Sequence, residues 1–422
     1  MSGGDELVVW LGALRAGLLR DTDGRRLSFQ YDGGHLAGRG AAPLSLSLPL
    51  RESPFGDEQA RPFFANLLPD AGLREAVARK LGLSPGNDFA LLAALGGECA
   101  GAVSLLPPGE APREQGEYLP LSGEAFDRLV KELPRRPLLA GERGIRLSLA
   151  GAQAKLPVRI NGDRILIARG GLPTTHIVKP EIPSVEGSVR NEAFSMALAG
   201  RSGLPVPRSW VRPGPGPVYV VERFDRRVGD DGRVVRNHAE DFCQALGHLP
   251  TVKYESEGGP GLADAFALLA RHSTNPALDR RALLRWTVFN ALLQNADAHA
   301  KNLSLLHEPG GVRLAPFYDL LCTGAYPDLA RSLAMRVGGE ARPAWLRRRH
   351  WERFAEQVEI RPRLVLDTVA QLAASLPAAA AALAAEQAAT LGPSPVVDRV
   401  LVVIRARCAQ AERALASPGE GS

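Results

Sequence analysis

The spacing of the apolar residues changes near residue 238, and this change restricts the architectures that the chain can adopt. Before it, short apolar runs alternate with glycine-rich turns in residues 5–50, and strand-like runs dominate again from about 119 to 223, a pattern typical of antiparallel strands. After it, apolar residues recur mostly at helical spacing, with one hairpin predicted at 303–316. The sequence therefore predicts an α+β fold, in which a β-rich lobe precedes an α-rich lobe.

The order of these patterns divides the chain into three units, since 422 residues exceed a single typical core. Residues 1–108 combine a small β-meander with helical segments over 60–105, and residues 107–118 have the composition of a linker. The second unit, residues 119–223, consists of strands that one helix interrupts. The third unit, residues 224–422, is predicted as an all-helical lobe apart from the hairpin.

The composition excludes several classes of protein. No stretch of about 18 apolar residues is present, and the N-terminus lacks the basic region and apolar core of a signal peptide, so we expect a cytoplasmic protein. The four cysteines lack C-x-x-C pairing, which argues against a zinc site and a disulfide framework. Neither a G-x-S-x-G nor an H-E-x-x-H motif occurs, which excludes hydrolases of those types. The net charge of +5 permits an acidic partner but does not prove one.

Lysine is rare among the basic residues. Only six of the 51 are lysines, namely Lys80, Lys131, Lys155, Lys179, Lys253 and Lys301. A genomic bias toward arginine explains the general scarcity. The lysines that remain mark positions where a compact ammonium suits the site better than a planar guanidinium. Four of the six lie in the sequence blocks on which the functional prediction depends.

Asp297 and Asn302 have the D-x-x-x-x-N spacing of a protein kinase catalytic loop. In that loop the aspartate accepts the proton of the substrate hydroxyl, and the asparagine holds magnesium. The predicted hairpin returns the chain to its start, so Asp319 should lie beside Asn302 and supply a second oxygen ligand for Mg²⁺. Taken one at a time, these residues have plainer explanations: Asp297 could cap a helix in a polar loop, and Asp319 could lie at the edge of a hydrophobic core. The ordered set favours phosphoryl transfer from ATP.

Other residues fit the binding of ATP. Lys179 ends an apolar strand, where it can neutralise phosphates with Glu192 as its partner, although a surface lysine is the plainer alternative. The loop 148–155 can present backbone N–H groups to phosphates, although it also fits an ordinary hairpin turn. Glu222 and Phe224 are candidates for the adenine contact. The predicted ATP-binding residues are Ala150, Gly151, Ala152, Gln153, Lys155, Lys179, Glu192, Glu222, Phe224, His299 and Lys301.

Several segments resemble the HipA family of bacterial serine/threonine kinase toxins, in the family's order. They extend from about residue 60 to 320 and read FFANLLPD, RLSLAGAQAK, THIVKPEI, NEAF, VERFDR, VKYESEGGPG, NADAHAKN and PFYDL. The resemblance implies a bilobal protein-kinase-like fold. It also implies the same roles for the matching residues: Lys179 on phosphate, Asp297 as base, Asn302 and Asp319 on magnesium, and Glu222 and Phe224 at the hinge between the lobes. Beyond residue 330 nothing specific is recognised.

The resemblance carries further expectations about substrate and partners. Such kinases phosphorylate an aminoacyl-tRNA synthetase, typically the glutamyl enzyme, and so cause growth arrest and persistence. They bind a small helix-turn-helix antitoxin, HipB, and the pair represses its own operon at the operator DNA. They also autophosphorylate a serine in the glycine-containing loop, which corresponds to Ser148. Ala154 departs from the family pattern, because an acidic residue often precedes the loop lysine, and this leaves the details of the loop open.

Two other functions compete with a protein kinase. A small-molecule phosphotransferase would need acidic clusters in the C-terminal half, where the sequence instead has WLRRRHW. A catalytically silent DNA-binding corepressor is disfavoured by the intact set of Lys179, Asp297, Asn302 and Asp319. The run Arg347, Arg348 and Arg349 is a candidate DNA contact of an antitoxin complex, although such runs are more often the solvated face of a helix.

Overall fold

The computed structural model of the chain describes residues 6–112 and 116–416. Residues 6–106, called the N-terminal subdomain below, contain in chain order β1 (Glu6–Leu11), β2 (Leu14–Asp21), β3 (Leu27–Tyr31), α1 (Gly33–Leu36), α2 (Asp57–Ala65), α3 (Ala71–Leu81), α4 (Asp88–Leu95) and β4 (Val103–Leu106). The four strands form an antiparallel sheet in the order β3-β2-β1-β4. Strands β1 to β3 and the three helical segments are confirmed. The last apolar run of the expected meander, residues 44–50, forms only an isolated bridge between Ser45 and Leu48, and the fourth strand is β4, at the end of the stretch predicted as helical.

Aromatic side chains form the centre of this subdomain. Phe29, Phe55, Phe63 and Phe64 are buried between the sheet and the helices, and each contributes roughly 1.5–3 kcal/mol through burial. Helix α3 ends at Gly82, whose φ of +67° stops the helix at little steric cost. This packing fixes the segment between α2 and α3, which faces the rest of the molecule.

The second unit is a six-stranded antiparallel sheet. In the sequence, one helix precedes and one helix follows its three consecutive strands at residues 156–180. Its elements are β5 (Glu117–Leu121), α5 (Gly123–Glu132), β6 (Leu156–Asn161), β7 (Arg164–Arg169), β8 (His176–Pro180), α6 (Ser188–Arg201), β9 (Ser209–Arg212) and β10 (Val218–Glu222). The strand order is β5-β7-β6-β8-β10-β9. The interrupting helix was predicted and is α6.

Two expectations for this unit are wrong. Helix α5 was not predicted; Ser122 caps it by accepting a hydrogen bond from the Ala125 N–H at 3.2 Å, and its apolar residues are spaced for one buried face. The run GIRLSLA, residues 144–150, belongs to the strand-like runs of this unit and is predicted as a strand, but it makes only an isolated bridge, between Leu147 and Glu98 of the N-terminal subdomain. The predicted linker falls partly on residues 113–115, which lie outside the described residues, and it ends inside β5.

The C-terminal lobe is mostly helical. It contains β11 (Arg226–Val228), β12 (Val234–Arg236), β13 (His238–Asp241), α7 (Phe242–Leu246), α8 (Leu262–His272), α9 (Pro276–Leu293), β14 (Ser304–Glu308), β15 (Gly311–Leu314), α10 (Arg348–Gln357), α11 (Pro362–Leu391) and α12 (Pro395–Ala416). The predicted hairpin is present as β14 and β15. The lobe is not all-helical, however, because β13 pairs with the free edge of β14 and makes a three-stranded sheet.

Helix α11 is long and apolar enough to cross a membrane by length and composition alone. Its buried residues recur at helical spacing and pack into the core of the C-terminal lobe together with α9, α10 and α12. A core helix passes the same test of length and composition, so this one helix is weak evidence for a membrane span.

Candidate active site

A cleft of about 420 Å³ lies between the six-stranded sheet and the helical lobe. Its walls come from the loop before β6, from β8, α6 and β10, and from the turn between α9 and β14. Every residue predicted for catalysis, ATP or metal lines this cleft: Ala150, Gly151, Ala152, Gln153, Lys155, Lys179, Glu192, Glu222, Phe224, Asp297, His299, Lys301, Asn302 and Asp319. Four of the six lysines are among the lining residues, as their scarcity suggested.

Lys179 is held by two carboxylates. The register of β8 against β10 places it opposite Tyr219 in the sheet. Its buried Nζ donates to Glu192 Oε1 of α6 at 2.7 Å, which is the predicted contact, and also to Asp319. Burial alone would lower the pKa of Lys179, but the two carboxylates raise it above its ordinary value. The ammonium is therefore charged and fixed at the wall of the cleft.

Asp319 and Asn302 supply oxygen atoms to the same cleft. Asp319 has a φ of +53°, a left-handed conformation that is uncommon outside glycine and clusters at functional sites. Burial works to raise its pKa, but Lys179 holds the pKa well below its ordinary value, so the carboxylate stays ionised. An ionised carboxylate and an amide suit Mg²⁺, which keeps further positions for phosphate and water. Among residues 6–112 and 116–416, no three or more histidine, cysteine, aspartate or glutamate side chains are grouped so that they could hold a metal ion by themselves.

Asp297 lies at the mouth of the cleft with 47% of its side chain exposed. Its Oδ1 accepts a hydrogen bond from the Tyr254 hydroxyl at 2.6 Å and lies 3.6 Å from His299 Nε2. Burial lowers the pKa of His299 to about 4, against the attraction of Asp297. The imidazole is therefore neutral at neutral pH, and Asp297 keeps a carboxylate open to an incoming group.

The loop before β6 is anchored from several sides. Gly151 has a φ of +103°, which a residue with a side chain would rarely adopt. The Lys155 ammonium donates to the Ala150 carbonyl, and Gln153 Nε2 donates to the Pro180 carbonyl at 3.1 Å. Ser148 is completely buried, and its Oγ donates to the Leu67 carbonyl at 2.6 Å. Ser148 is thus held beneath the cleft and does not line it.

The connection between the lobes carries the candidate adenine contacts. The backbone N–H of Glu222 donates to the Arg208 carbonyl at 2.9 Å, so this amide does not serve adenine. The half-buried ring of Phe224 stacks on Tyr318 with centroids 5.3 Å apart and an interplanar angle of 22°. This pair offers a flat apolar surface at one end of the cleft.

Sequence reasoning missed several residues that contact the predicted ones. Tyr254 binds Asp297, Tyr318 stacks on Phe224, and Asp70 and Lys253 line the cleft beside Lys301. Tyr254 and Lys253 lie in VKYESEGGPG and Asp70 in FFANLLPD, two segments that carry the family resemblance. The scarcity of lysine also singled out Lys253.

The arginine run lies away from the cleft, at the start of α10. Arg348 pairs with Glu352 at 2.8 Å, whereas Arg347 is exposed and lies at the N-terminal cap of the helix. Trp351 is buried in the core, but Trp345 is 54% exposed and stacks under Arg342. Contact of Arg347, Arg348 and Arg349 with DNA stays a prediction.

Comparison with known proteins places the chain in one family. The HipA N-terminal domain matches residues 7–106, and the HipA-like C-terminal domain matches residues 147–380. A putative kinase, Y4mE, of Sinorhizobium fredii is 44% identical over 371 residues, which cover 86% of this chain and 88% of the relative. The serine/threonine-protein kinase toxin HipA of Shewanella oneidensis is 34% identical over 352 residues, or 80% of each chain.

A solved structure agrees with the sequence matches. The chain resembles a protein in the complex of Shewanella oneidensis HipA, HipB and operator DNA with a TM-score of 0.83, at 31% identity and with 97% of each chain covered. This match confirms the predicted bilobal, kinase-like α+β fold. With both domains of the family in order and a curated relative above 30% identity, the chain belongs to the HipA family.

Proposed function

We propose that this chain is a serine/threonine protein kinase toxin that transfers the γ-phosphate of ATP to a protein hydroxyl. The observation that carries the proposal is the convergence of Lys179, Asp297, Asn302 and Asp319 on one cleft between the lobes. These residues come from three separate parts of the sequence, since Asp297 and Asn302 belong to one motif. Phosphoryl transfer needs chiefly positioning and charge stabilisation, which such a set provides.

Each residue has a distinct role in the proposed reaction. Lys179, fixed by Glu192, neutralises charge on the ATP phosphates. Asn302 and Asp319 would hold Mg²⁺, which when bound neutralises charge on the phosphate oxygens. Asp297 accepts the proton of the substrate hydroxyl while the oxygen of that hydroxyl forms a bond to the γ-phosphorus. The bond from that phosphorus to the bridging oxygen breaks, and ADP leaves.

The proposal extends to the biological role of the chain. We infer that it phosphorylates an aminoacyl-tRNA synthetase in the cytoplasm, specifically the glutamyl enzyme, and so causes growth arrest and persistence. We also infer that it binds a HipB-like helix-turn-helix antitoxin and acts with it as a corepressor on operator DNA. Support comes from the family membership and from the similar Shewanella protein, whose structure was solved with HipB and its operator.

The direct test is a transfer assay with purified protein. The chain should move labelled phosphate from ATP to glutamyl-tRNA synthetase or to itself in the presence of Mg²⁺, and mass spectrometry should find the label on serine or threonine. An unrelated synthetase and an ATP-only sample serve as controls. Absence of label from every protein in the mixture, the chain included, would contradict the kinase proposal.

The metal role predicts a graded response to substitution. Asp319→Ala should raise the Mg²⁺ concentration needed for ATP binding by more than about 10-fold. Even the loss of a residue that only orients a metal ligand can lower metal affinity by about 10-fold, and Asp319 is proposed as a ligand itself. Asn302→Ala should raise the required Mg²⁺ concentration less, because a neutral amide attracts the ion less strongly than a carboxylate does. This substitution also leaves the ion pairs of Lys179 with Glu192 and Asp319 intact. Calorimetry of ATP binding at several Mg²⁺ concentrations measures both. Unchanged Mg²⁺ dependence in Asp319→Ala would rule out this role.

Autophosphorylation of Ser148 should act as a self-limiting switch. The serine is fully buried against the Leu67 carbonyl, and Arg146 is occupied by the carbonyls of Ala93 and Leu105. A phosphate brings about −1.5 to −2 charges, which this position cannot hold, so the loop must leave the cleft and ATP binding must weaken. A phosphate on Ser148 would pair with Arg146 only after that side chain leaves these two carbonyls.

Mass spectrometry after incubation with ATP tests the switch. Phosphate should appear on Ser148 in the wild type and be absent from Asp297→Asn and Ser148→Ala. The modified protein should then bind ATP more weakly than the unmodified one. Full affinity for ATP in the modified protein, or no phosphate on Ser148 in any sample, would remove the switch.

A further inference from the structure

The segment between α2 and α3 of the N-terminal subdomain reaches the cleft of the kinase lobes. The Leu67 carbonyl accepts the hydrogen bond of Ser148, and the backbone N–H of Asp70 donates to the Gly151 carbonyl at 3.2 Å. Both contacts are with the loop proposed to bind phosphate. The N-terminal subdomain therefore forms part of the wall of the cleft.

The Asp70 side chain extends this contact to the catalytic loop. Its carboxylate is 8% exposed, and it accepts from Lys301 Nζ at 2.7 Å and from Lys253 Nζ at 3.5 Å. Burial alone would raise the pKa of Asp70, but Lys301 and then Lys253 lower it below its ordinary value. The carboxylate is therefore ionised and shared by two lysines of the C-terminal lobe.

The buried ammonium of Lys301 needs a carboxylate as its partner. Its side chain is 3% exposed, and a buried ammonium requires an opposite charge to compensate for lost hydration. Asp241 is another nearby carboxyl, but burial raises its pKa to about 7, and its Oδ1 already accepts from the Gln244 N–H at 2.8 Å. Asp70 is thus the carboxylate that fixes Lys301.

Fixing Lys301 also fixes its neighbours. Lys301 lies in a short 3₁₀ turn over 300–302 between Asp297 and Asn302, and Asn302 Nδ2 donates to the Asp297 carbonyl at 2.8 Å. A shift of Lys301 is therefore transmitted to both the proposed base and the proposed metal ligand. A misplacement of 1 Å at a reacting centre can cost about 100-fold in rate.

We propose that Asp70 is a positioning residue of the kinase, through which the N-terminal subdomain orders the catalytic loop from outside the two kinase lobes. The inference rests on the proposed kinase function for its kinetic consequences. Its structural consequence, order in the loop 296–303, is measurable whether or not the protein transfers phosphate.

The test compares Asp70→Asn with a matched control in the same subdomain. Asp88→Asn also neutralises a buried carboxylate, one that Arg61 and Arg74 hold outside the cleft. Asp70→Asn should lower kcat by about 10- to 100-fold and change the KM for ATP by less than about 3-fold. Hydrogen exchange of the backbone amides in 296–303 should be faster than in wild type and in Asp88→Asn.

Both readouts are needed for the proposal to stand. An unchanged kcat, or exchange in 296–303 no faster than in the Asp88→Asn control, would overturn it. If the wild type transfers no phosphate, the kinase proposal fails, and the exchange measurement alone decides the positioning role.

A double-mutant cycle separates the pair from general loss of stability. Because Asp70 is proposed to act on the loop 296–303 through Lys301, Asp70→Asn combined with Lys301→Gln should lose no more loop protection than the more damaging single variant. Additive losses in the double variant would show that the two residues act independently, and this would also overturn the proposal.

Discussion

Asp297→Asn is expected to reduce phosphate transfer by about 100-fold or more, the usual scale for a positioned general base. The substitution keeps the size of the side chain and removes its capacity to accept a proton. Binding of ATP should remain within about 3-fold of wild type, because Asp297 lies at the mouth of the cleft and is bound by Tyr254, not by Lys179, the proposed phosphate contact. Growth arrest on expression should disappear together with transfer.

Steady-state transfer rates and calorimetric ATP affinities measure the two halves of this prediction. Asp328→Asn is a suitable control, since it neutralises an exposed carboxylate in the same lobe outside the cleft. Transfer by Asp297→Asn at the rate of this control would eliminate Asp297 as the base.

Glu98→Gln is expected to destabilise the protein by about 3–5 kcal/mol, the cost of breaking a buried ion pair. Glu98 is 1% exposed and belongs to the N-terminal subdomain, and its Oε1 accepts from Arg223 at 3.3 Å and from Arg226 at 3.2 Å. The Asp225 carboxylate accepts from Arg223 at 2.8 Å and forms an ion pair with Arg226, whose Nη1 lies 2.8 Å from it. Two negative charges thus balance two positive ones. The variant leaves a buried positive charge without compensation, at the point where β10 passes into the helical lobe.

Urea unfolding at neutral pH measures the loss, and Glu132→Gln provides the control. Glu132 forms a half-exposed pair with Arg136, which should be worth no more than about 1 kcal/mol. A loss in Glu98→Gln as small as that of the control would show that the buried cluster contributes little to stability.

The same cluster predicts how stability depends on pH. Burial would raise the pKa of Glu98, but Arg223 and Arg226 hold it below its ordinary value of 4.5. A carboxyl with a lowered pKa in the folded state contributes stability above its ordinary value, and this is lost as the pH falls through its folded value. The wild type should therefore lose more stability on acidification below about pH 4.5 than Glu98→Gln does.

The sequence by itself determined the local elements and the contacts that they dictate. Alternation and helical spacing are local properties, so they identified β6, β7, β8, α6 and the hairpin of β14 and β15. The hairpin in turn requires Asp319 to return to the cleft that Asn302 lines. A lysine at a strand end followed by a glutamate in the next helix predicted the Lys179–Glu192 contact, since the two residues are only 13 apart in sequence.

Only the tertiary structure decided which residues from distant parts of the sequence pair with each other. Asp70 and Lys301 are 231 residues apart, and Glu98 and Arg223 are 125 apart. No periodicity or turn connects such positions. Their pairing follows from how the N-terminal subdomain packs on the other two units, where burial removes water and makes each charge depend on a specific partner. Packing of the N-terminal subdomain also decides the structure of residues 144–150. Their pattern predicts a strand, but they make backbone hydrogen bonds to Glu98 in an isolated bridge.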